Sequence, residues 1–123
     1  LSQYMWARFF EKGYYEKHRQ FLIDFYRKKR DLMCSALSCI PGLSFSVPDG
    51  GLVIWIRLPE YTNDRQIAAA AERTGLLLMP GNTFFAEGSH GESYIRVSYS
   101  SVTDEEITEG CRRMAEVLNS CRI

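Results

Sequence analysis

The sequence lacks the features that would place it in several large classes of protein. Its 123 residues hold 15 basic and 15 acidic side chains, so the formal net charge is zero. This balance gives no electrostatic reason to expect nucleic acid or an anionic membrane as the main partner. An apolar run such as Leu52 to Ile56 is far too short to span a bilayer. The N-terminus shows neither a basic segment nor a cleavage site, so we predict no secretory signal.

Cysteine and histidine are scarce and poorly spaced for metal binding. The cysteines are Cys34, Cys39, Cys111 and Cys121. Their spacing matches no zinc motif and no redox Cys-x-x-C, and the two histidines, His18 and His90, lie far from them in sequence. We therefore predict no metal site and four free thiols that pack as small hydrophobic groups. Unpaired cysteines without a secretory signal predict a cytoplasmic protein.

Motifs that bind phosphate or activate a nucleophile are absent too. The sequence has no Gly-x-Gly-x-x-Gly, no phosphate-binding loop ending in Lys-Ser/Thr, and no Gly-x-Ser-x-Gly elbow. The four lysines (Lys12, Lys17, Lys28 and Lys29) lie in or beside the predicted N-terminal helices. We expect them mostly on solvated faces, because none lies in an apolar segment that would lower its pKa for nucleophilic work.

Hydrophobic periodicity is what the sequence does contain. It predicts helices at 2–12, 14–37, about 64–74 and 104–121, and strands at 43–47, 52–58, 76–79 and 94–99. This order predicts an α+β fold, in which a small, mostly antiparallel sheet of about four strands carries helices on one face and follows a long N-terminal helix. We expect two parts: a helical segment over residues 1–40 and a domain over 41–123. The start at Leu1, directly before helical sequence, suggests a piece of a longer protein.

Local signals predict where several elements begin and end. The turn at 48–51 is short enough to join its two flanking strands as an antiparallel hairpin. One polar residue among 62–64 should cap the third helix. Thr103 and Glu106 match a capping box for the last helix. The segment 86–92 has two glycines and no periodicity, so we predict an exposed, mobile loop.

The N-terminal helices carry more apolar surface than residues 1–40 could cover alone. The apolar positions of the long helix are Tyr14, His18, Phe21, Phe25, Leu32 and Leu37. We expect part of this side to need structure from outside the chain. The aromatic residues Tyr4, Trp6, Phe9 and Phe10 are then predicted to lie exposed.

Arg96 is the side chain that most needs an explanation. It lies in the middle of a predicted strand between Ile95 and Val97, and it shares a face with Tyr94 and Ser98. A guanidinium there must reach the surface, pair with a carboxylate of the protein, or receive a carboxylate from a ligand. Its planar fork suits bidentate carboxylate binding. From the residues alone, a structural ion pair is favoured over the ligand role.

Several motifs occur in series and together resemble one family. The clearest are GGLVIWIRLP at 50–59, MPGNTFF at 79–85 and YIRVSY at 94–99. They look like the Gly-Gly-x-x-x-Trp-x-x-Leu-Pro strand, the Pro-Gly-x-x-Phe loop and the Arg-x-Ser/Asn-Phe/Tyr strand of the class I/II aminotransferases, which are fold-type I pyridoxal-phosphate enzymes. Residues 102–118 resemble the closing helix of that family, and 13–18 with 26–31 resemble its long interdomain helix. The resemblance covers essentially the whole chain.

The resemblance implies specific roles for a few residues. Residues 41–123 would be the C-terminal small domain, and Arg96 would hold the α-carboxylate of an amino-acid substrate. Asn82, Thr83 and Phe84 would lie in a loop near the mouth of the active site. The turn at 50–51 would bring backbone close to neighbouring elements, as glycine permits.

The same resemblance implies that essential parts lie elsewhere. The Schiff-base lysine, the aspartate at the pyridine nitrogen and the phosphate-binding residues of the family belong to its large domain, and no motif here matches them. We therefore expect pyridoxal phosphate in the full-length parent but none bound to this fragment. No catalytic, cofactor-binding or metal residue is predicted, and the fragment alone should be inactive.

Three kinds of parent protein remain open. The first is a cytoplasmic, homodimeric aminotransferase that acts on an amino acid and a 2-oxo acid, with the large domain in the same chain and no membrane partner. The second is a MocR/GntR-type transcriptional regulator, in which the domain senses an effector and DNA is bound only by a separate N-terminal domain. The third is an unrelated small α+β binding module, which a local ion pair of Arg96 would favour.

Overall fold

The helices and strands form in the predicted order. The computed structural model describes residues 1–87 and 90–122. The helices are α1 (Ser2–Glu11), α2 (Tyr14–Ser38), α3 (Asp64–Glu72) and α4 (Asp104–Ser120). The strands are β1 (Ser44–Phe45), β2 (Val53–Arg57), β3 (Met79–Pro80) and β4 (Tyr94–Ser98), and a 3-10 turn at Gly81–Phe84 follows β3. No helix in the described part of the chain is both long enough and apolar enough to cross a membrane.

The four strands form one antiparallel sheet in the order β1-β2-β4-β3. The central pair, β2 and β4, aligns Ile56 with Ile95 and Trp55 with Arg96. Outer strand β1 pairs with β2, which is the predicted antiparallel hairpin. The predicted α+β class, with a small antiparallel sheet and a long N-terminal helix, is confirmed.

The core lies on one face of this sheet. Side chains alternate between the two faces of a strand, so Ile54 and Ile56 of β2 share a face with Ile95 of β4. All three are buried in one cluster with Ile67 of α3 and Ile107 of α4. The C-terminal third of α2 joins this cluster through buried side chains, which include Met33, Cys34 and Leu37.

Side chains cap α3 and α4 at their N-termini. Asn63 fills the predicted position before α3, where its side chain accepts a hydrogen bond of 3.0 Å from the backbone N–H of Gln66. Before α4, the Thr103 hydroxyl accepts from the N–H of Glu106, and the Glu106 carboxylate accepts from the N–H of Thr103. The predicted capping box is therefore confirmed, and it satisfies two N–H groups that the helix itself leaves unpaired.

The N-terminal aromatic residues Tyr4, Trp6 and Phe10 are exposed, as predicted, whereas Phe9 is half-buried. None of the residues of α1 is buried, and Trp6 retains 57% of its accessible surface. The rings pack mainly on one another, with centroids 5.8 Å apart for Trp6 and Phe9 and 4.5 Å for Phe10 and Tyr15. The predicted exposure of the long helix also holds, since Phe21 and Phe25 of α2 are exposed.

Two predicted strands are shorter than their patterns suggested. The strand predicted at 43–47 pairs only over Ser44–Phe45, and Val47 is exposed. The strand predicted at 76–79 is wrong for its first three residues, because pairing begins only at Met79. The N–H of Leu76 is bonded to the carbonyl of Ala71 at the end of α3, and Leu77 is 84% exposed. Outer strands pair on one side only, so their length depends on their neighbour more than on their own pattern.

Lys29 departs from the expectation that the lysines lie mostly on solvated faces. Its side chain is buried, and its ammonium group donates to the carbonyl of Val102 and lies 3.5 Å from the Asp104 carboxylate. The Lys29 amine also lies 5.2 Å from the centroid of the Phe25 ring. A lysine stem can run along apolar surface while its amine stays bonded, which sequence periodicity does not register.

The four cysteines are free, as predicted. Cys34 and Cys111 are buried, Cys121 is half-buried and Cys39 is exposed. The packing role therefore holds for the buried pair and is wrong for Cys39, which lies just beyond the end of α2.

The segment 86–92 is only partly the exposed loop that we predicted. Ala86, Glu87 and His90 are exposed, but Gly91 is buried. Gly88 and Ser89, which the same prediction included, lie outside the described residues. The prediction is therefore wrong at Gly91, whose close packing is described below.

Candidate functional site

The sheet face opposite the core carries the side chains that could bind a ligand. Trp55 of β2 and Arg96 of β4 stand directly opposite each other in the strand register. Tyr94 lies two residues before Arg96 and therefore on the same face. All three are partly buried, unlike the isoleucines of the core face. Residues of α2, α3 and α4 pack on the core face, and this second face, the open face, presents polar and aromatic groups together.

Aromatic rings cluster around Trp55 on this open face. Its ring stacks on that of Tyr94, with centroids 5.6 Å apart and planes 21° apart. The ring of Phe84 meets Trp55 edge-on at 5.7 Å, and that of Phe85 lies 6.4 Å away. Offset-stacked and edge-to-face pairs at such distances stabilise aromatic clusters. The cluster therefore gives the face a defined shape.

Arg96 is held by one of these rings. The carbon at the centre of its guanidinium lies over the Phe84 ring, 4.1 Å from the ring centroid, which is well within the range of cation–π attraction. Among residues 1–87 and 90–122, no carboxylate forms an ion pair with Arg96. The structural ion pair that the sequence favoured before the resemblance is therefore not formed by the described residues.

The 3-10 turn that carries Phe84 is fixed by a close backbone contact. A Cβ atom added to Gly81 would lie 2.2 Å from the carbonyl oxygen of Gly91, and one added to Gly91 would lie 2.3 Å from the carbonyl carbon of Gly81. Such distances leave no room for any side chain at either position. The amide oxygen of Asn82 accepts a hydrogen bond of 2.9 Å from the N–H of Gly91. The turn is thus tied to the segment that leads into β4.

A buried carboxylate ties the same turn to α3. Asp64, at the first position of α3, is only 1% exposed. One carboxylate oxygen accepts from its neighbour, the N–H of Arg65, at 2.8 Å, and the other accepts from the N–H of Asn82 at 3.0 Å. A charged group in such a place needs hydrogen bonds, and these two supply them. The start of α3 and the 3-10 turn are therefore held together.

A groove lies along the open face. It has a volume of about 520 Å³ and crosses β1, β2 and β4, where Val53, Trp55 and Tyr94 contribute to its lining. Arg96 does not line this groove. It borders a separate hollow of about 230 Å³, which is lined mainly by core residues such as Ile107 and Met114.

Of the three residues predicted for the active-site loop, Phe84 is in contact with the guanidinium of Arg96, Asn82 is half-buried and hydrogen-bonded, and Thr83 is exposed. At 50–51 the carbonyl of Gly51 accepts a hydrogen bond from the Tyr99 hydroxyl, so backbone does lie close to β4. A Cβ atom at Gly50 or Gly51 would meet nothing within 4 Å, so this contact does not require glycine. Gly51 is required instead for its backbone angle, a φ of 82°.

No lysine in the described part of the chain is placed to attach pyridoxal phosphate beside Arg96. Lys12, Lys17 and Lys28 lie on or beside α1 and α2 and are exposed. The amine of Lys29 is already bonded to Val102 and Asp104. In the described part of the chain, no three His, Cys, Asp or Glu side chains gather in a group that could hold a metal ion.

Sequence reasoning missed two contributors to this site. Asp64 was considered only as a possible helix cap, yet its carboxylate holds the backbone of the turn eighteen residues later. Trp55 was noted only as part of a motif, although it is the centre of the aromatic cluster. Its alternation with Ile54 and Ile56 already placed it on the face opposite the core, which is the signal that could have found it.

Comparison with known proteins gives a consistent result. The family model "Aminotransferase class I and II" matches residues 9–114. The aromatic-amino-acid aminotransferase 1 of Thermococcus litoralis is 34% identical over 120 residues, which is 96% of this chain and 28% of that protein. The LL-diaminopimelate aminotransferase of Oleidesulfovibrio alaskensis is 39% identical over 95 residues, or 76% of this chain and 23% of that protein.

Solved structures agree in fold as well. The multiple substrate aminotransferase of Thermococcus profundus superimposes with a TM-score of 0.83 at 31% identity, over 93% of this chain and 28% of that one. This chain therefore spans between about a fifth and a third of the length of the proteins that it matches. The residues that match the family model, 9–114, contain α2, the whole sheet and the first part of α4.

Proposed function

Because this chain belongs to the class I and II aminotransferase family, we propose that its residues form the C-terminal, substrate-binding part of an amino-acid aminotransferase. In this proposal Arg96 binds the α-carboxylate of the substrate. The division into a helical segment over 1–40 and a small domain over 41–123 belongs to the same proposal. Family membership also rules out the third alternative that the sequence left open, an unrelated binding module.

The single observation that carries the proposal is the state of Arg96. Its guanidinium lies on the open face of the sheet, and no carboxylate of the described residues neutralises it. A half-buried cation without an anionic partner is costly unless an anion arrives, and a carboxylate matches the guanidinium fork with two parallel hydrogen bonds. A substrate amino acid or 2-oxo acid would supply that carboxylate.

The cofactor would be held outside these residues. In aminotransferases pyridoxal phosphate supplies the electron sink for the reaction. None of the four lysines lies where it could attach the cofactor beside Arg96. We therefore propose that the large domain of the complete polypeptide holds the cofactor, and that this chain alone neither binds it nor catalyses the reaction.

The wider setting follows from the same proposal. The complete protein would be a cytoplasmic homodimer that takes an amino acid and a 2-oxo acid as substrates. A parent that regulates transcription remains an alternative prediction, and no observation on the described residues favours it. A basic helix-turn-helix in the polypeptide before residue 1 would support that alternative.

The test replaces Arg96 in the complete polypeptide that carries this chain. Arg96→Lys keeps the charge but loses the fork, and Arg96→Ala loses both. Each should weaken amino-acid binding by roughly 10- to 100-fold or more, with folding nearly intact. Arg73→Ala is the matched control, because Arg73 is an exposed arginine at the end of α3 and lines neither the groove nor the hollow. Equal effects of Arg96→Ala and Arg73→Ala on binding would contradict the role of Arg96.

A second test addresses the isolated chain. After incubation with pyridoxal phosphate and removal of the excess, no single lysine should carry a stoichiometric covalent adduct. Peptide mapping after reduction identifies any modified lysine. An adduct at one lysine in molar proportion to the protein would show that the chain holds its own cofactor site.

A further inference from the structure

We propose that Phe84 is a positioning residue, which holds the guanidinium of Arg96 by its face and leaves the edge free to bind a carboxylate. This inference rests on the proposed function, because it assumes that Arg96 meets a substrate carboxylate. It goes beyond that function by assigning a task to an aromatic side chain of the 3-10 turn.

The geometry separates the two surfaces of the guanidinium. Its central carbon lies over the Phe84 ring, 4.1 Å from the ring centroid, and at this distance we infer that the flat face of the guanidinium meets the ring. All N–H groups of a guanidinium lie in its plane and point outward from the edge, so a ring against the face blocks none of them. A carboxylate binds bidentately at the edge. Phe84 can therefore restrain Arg96 without competing for the ligand.

The restraint matters because arginine is a flexible side chain. An unrestrained arginine loses rotamer entropy when a ligand fixes it. The ring of Phe84 removes part of that freedom before the ligand arrives, and preorganisation of this kind raises affinity. Aromatic contact also excludes water from one side of the guanidinium, which strengthens its attraction for an anion.

Phe84 can act in this way only if its own position is fixed. Its ring meets the Trp55 ring edge-on at 5.7 Å. The backbone of its turn is bonded to the buried Asp64 through the N–H of Asn82, and the neighbouring Gly81 is packed against Gly91. The ring is thus held from the sheet side by Trp55 and from the backbone side by α3 and the segment before β4.

The experiment compares three variants at this position in the complete polypeptide. Phe84→Met keeps an apolar side chain of similar volume but removes the ring. Phe84→Leu removes the ring and some volume, and Phe84→Tyr keeps an aromatic face. The control is Ala86→Ser, which alters an exposed residue two positions after Phe84. Thermal unfolding of each variant separates loss of fold from loss of binding.

The probe is the amino acid that binds most tightly among the twenty common L-amino acids, compared with the corresponding amine that lacks the carboxylate. Phe84→Met and Phe84→Leu should raise the dissociation constant of the amino acid about 3- to 10-fold, the size of one cation–π contact. Binding of the amine should not change. Phe84→Tyr and Ala86→Ser should stay within about 2-fold of the unmodified protein.

A double-mutant cycle with Arg96→Ala distinguishes failure of the inference from failure of the proposed function. If Phe84 acts through Arg96, then Phe84→Met should have no further effect once Arg96 is absent. An equal loss of amino-acid and amine binding in Phe84→Met, or an undiminished effect in the Arg96→Ala background, would overturn the positioning role while leaving Arg96 as the receptor. No effect of Arg96→Ala on amino-acid binding would instead overturn the proposed function itself.

Discussion

On one face of the sheet, Ile54, Ile56 and Ile95 are buried in a continuous core with the helices, whereas on the other face Trp55 and Arg96 stay partly open. The same two strands supply both sets of side chains, and only the alternation of the pleat separates them. The helices of this chain therefore cover the core face, whereas the open face presents aromatic and cationic groups. The comparison separates what stabilises the domain from what could bind a ligand.

The long helix α2 shows a similar contrast along its length. The last third of α2 contributes Met33, Cys34 and Leu37 to the core, while Phe21 and Phe25 nearer its start are exposed. Exposed apolar surface of this extent is typical of an interface. It agrees with our proposal that a large domain belongs to the complete polypeptide.

Shortening a core isoleucine should produce the largest effect, and it directly tests whether the core face stabilises the domain more than the open face does. Ile56→Ala removes a fully buried side chain and should lower the free energy of unfolding by about 2–5 kcal/mol. Val53→Ala, in the same strand but on the open face, is the matched control and should cost less than about 1 kcal/mol. Urea unfolding followed by circular dichroism measures both. Similar losses would mean that the open face is also stabilising.

A methyl group at Gly81 should have the next largest effect. The added Cβ would meet the backbone of Gly91 at 2.2 Å, and neither segment can move without disturbing the turn. We expect Gly81→Ala to cost about 1–3 kcal/mol, as overpacking does. Gly50→Ala is the control, since nothing lies within 4 Å of its Cβ and it has no positive φ. If urea unfolding finds both variants unchanged, the close contact between the turn and Gly91 does not exist.

Much of the fold could be predicted because its signals are local. Alternation in β2 separates core-facing Ile54 and Ile56 from open-facing Trp55, and the capping box of Thr103 and Glu106 marks the start of α4 within four residues. Such signals need no knowledge of distant partners. The position of Arg96 on a strand face could be read in the same way.

The parts that the sequence did not reveal depend on contacts between distant segments. The Lys29 amine reaches a carbonyl 73 residues away, and the Asp64 carboxylate reaches an N–H 18 residues away. Both side chains are charged, and charge alone predicts exposure. The contact of Phe84 with Arg96 likewise depends on how β3 and the turn meet β4. No periodicity along the chain encodes such pairings.

Thiol alkylation compares a buried with an exposed side chain directly. The expected effect on the protein itself is smaller than that of the substitutions above. Burial raises the pKa of the Cys111 thiol to about 11 and also raises that of Cys34. Only the thiolate is reactive, so alkylation of Cys111 by iodoacetamide at pH 8 should be about 100-fold slower than alkylation of the exposed Cys39. Mass spectrometry of peptides from a time course measures both rates. Equal rates in the folded chain, without urea, would contradict the burial of Cys111.

The smallest expected effect concerns the solvent side of α4, whose opposite side contributes Ile107 to the core. Glu109 accepts hydrogen bonds from Arg112 and Arg113, which lower the pKa of its carboxyl to about 2. Arg113 in turn donates to the carbonyl of Thr74 just beyond α3, so the pair links two helices. A lowered carboxyl pKa adds stability above the ordinary pKa near 4.5, and this contribution is lost as the pH falls towards 2.

Glu109→Gln tests this contribution. Relative to the unmodified chain, it should lower the urea midpoint slightly between pH 5 and 7, and the difference should fade between about pH 4.5 and 2 as the carboxyl takes up a proton. Because the group is on the surface, 1 M salt should shrink the difference as well. The control is Glu105→Gln, an exposed residue in the first turn of the same helix, which should not follow the same curve. A difference that persists unchanged at pH 2 would show that Glu109 acts through packing and not through its charge.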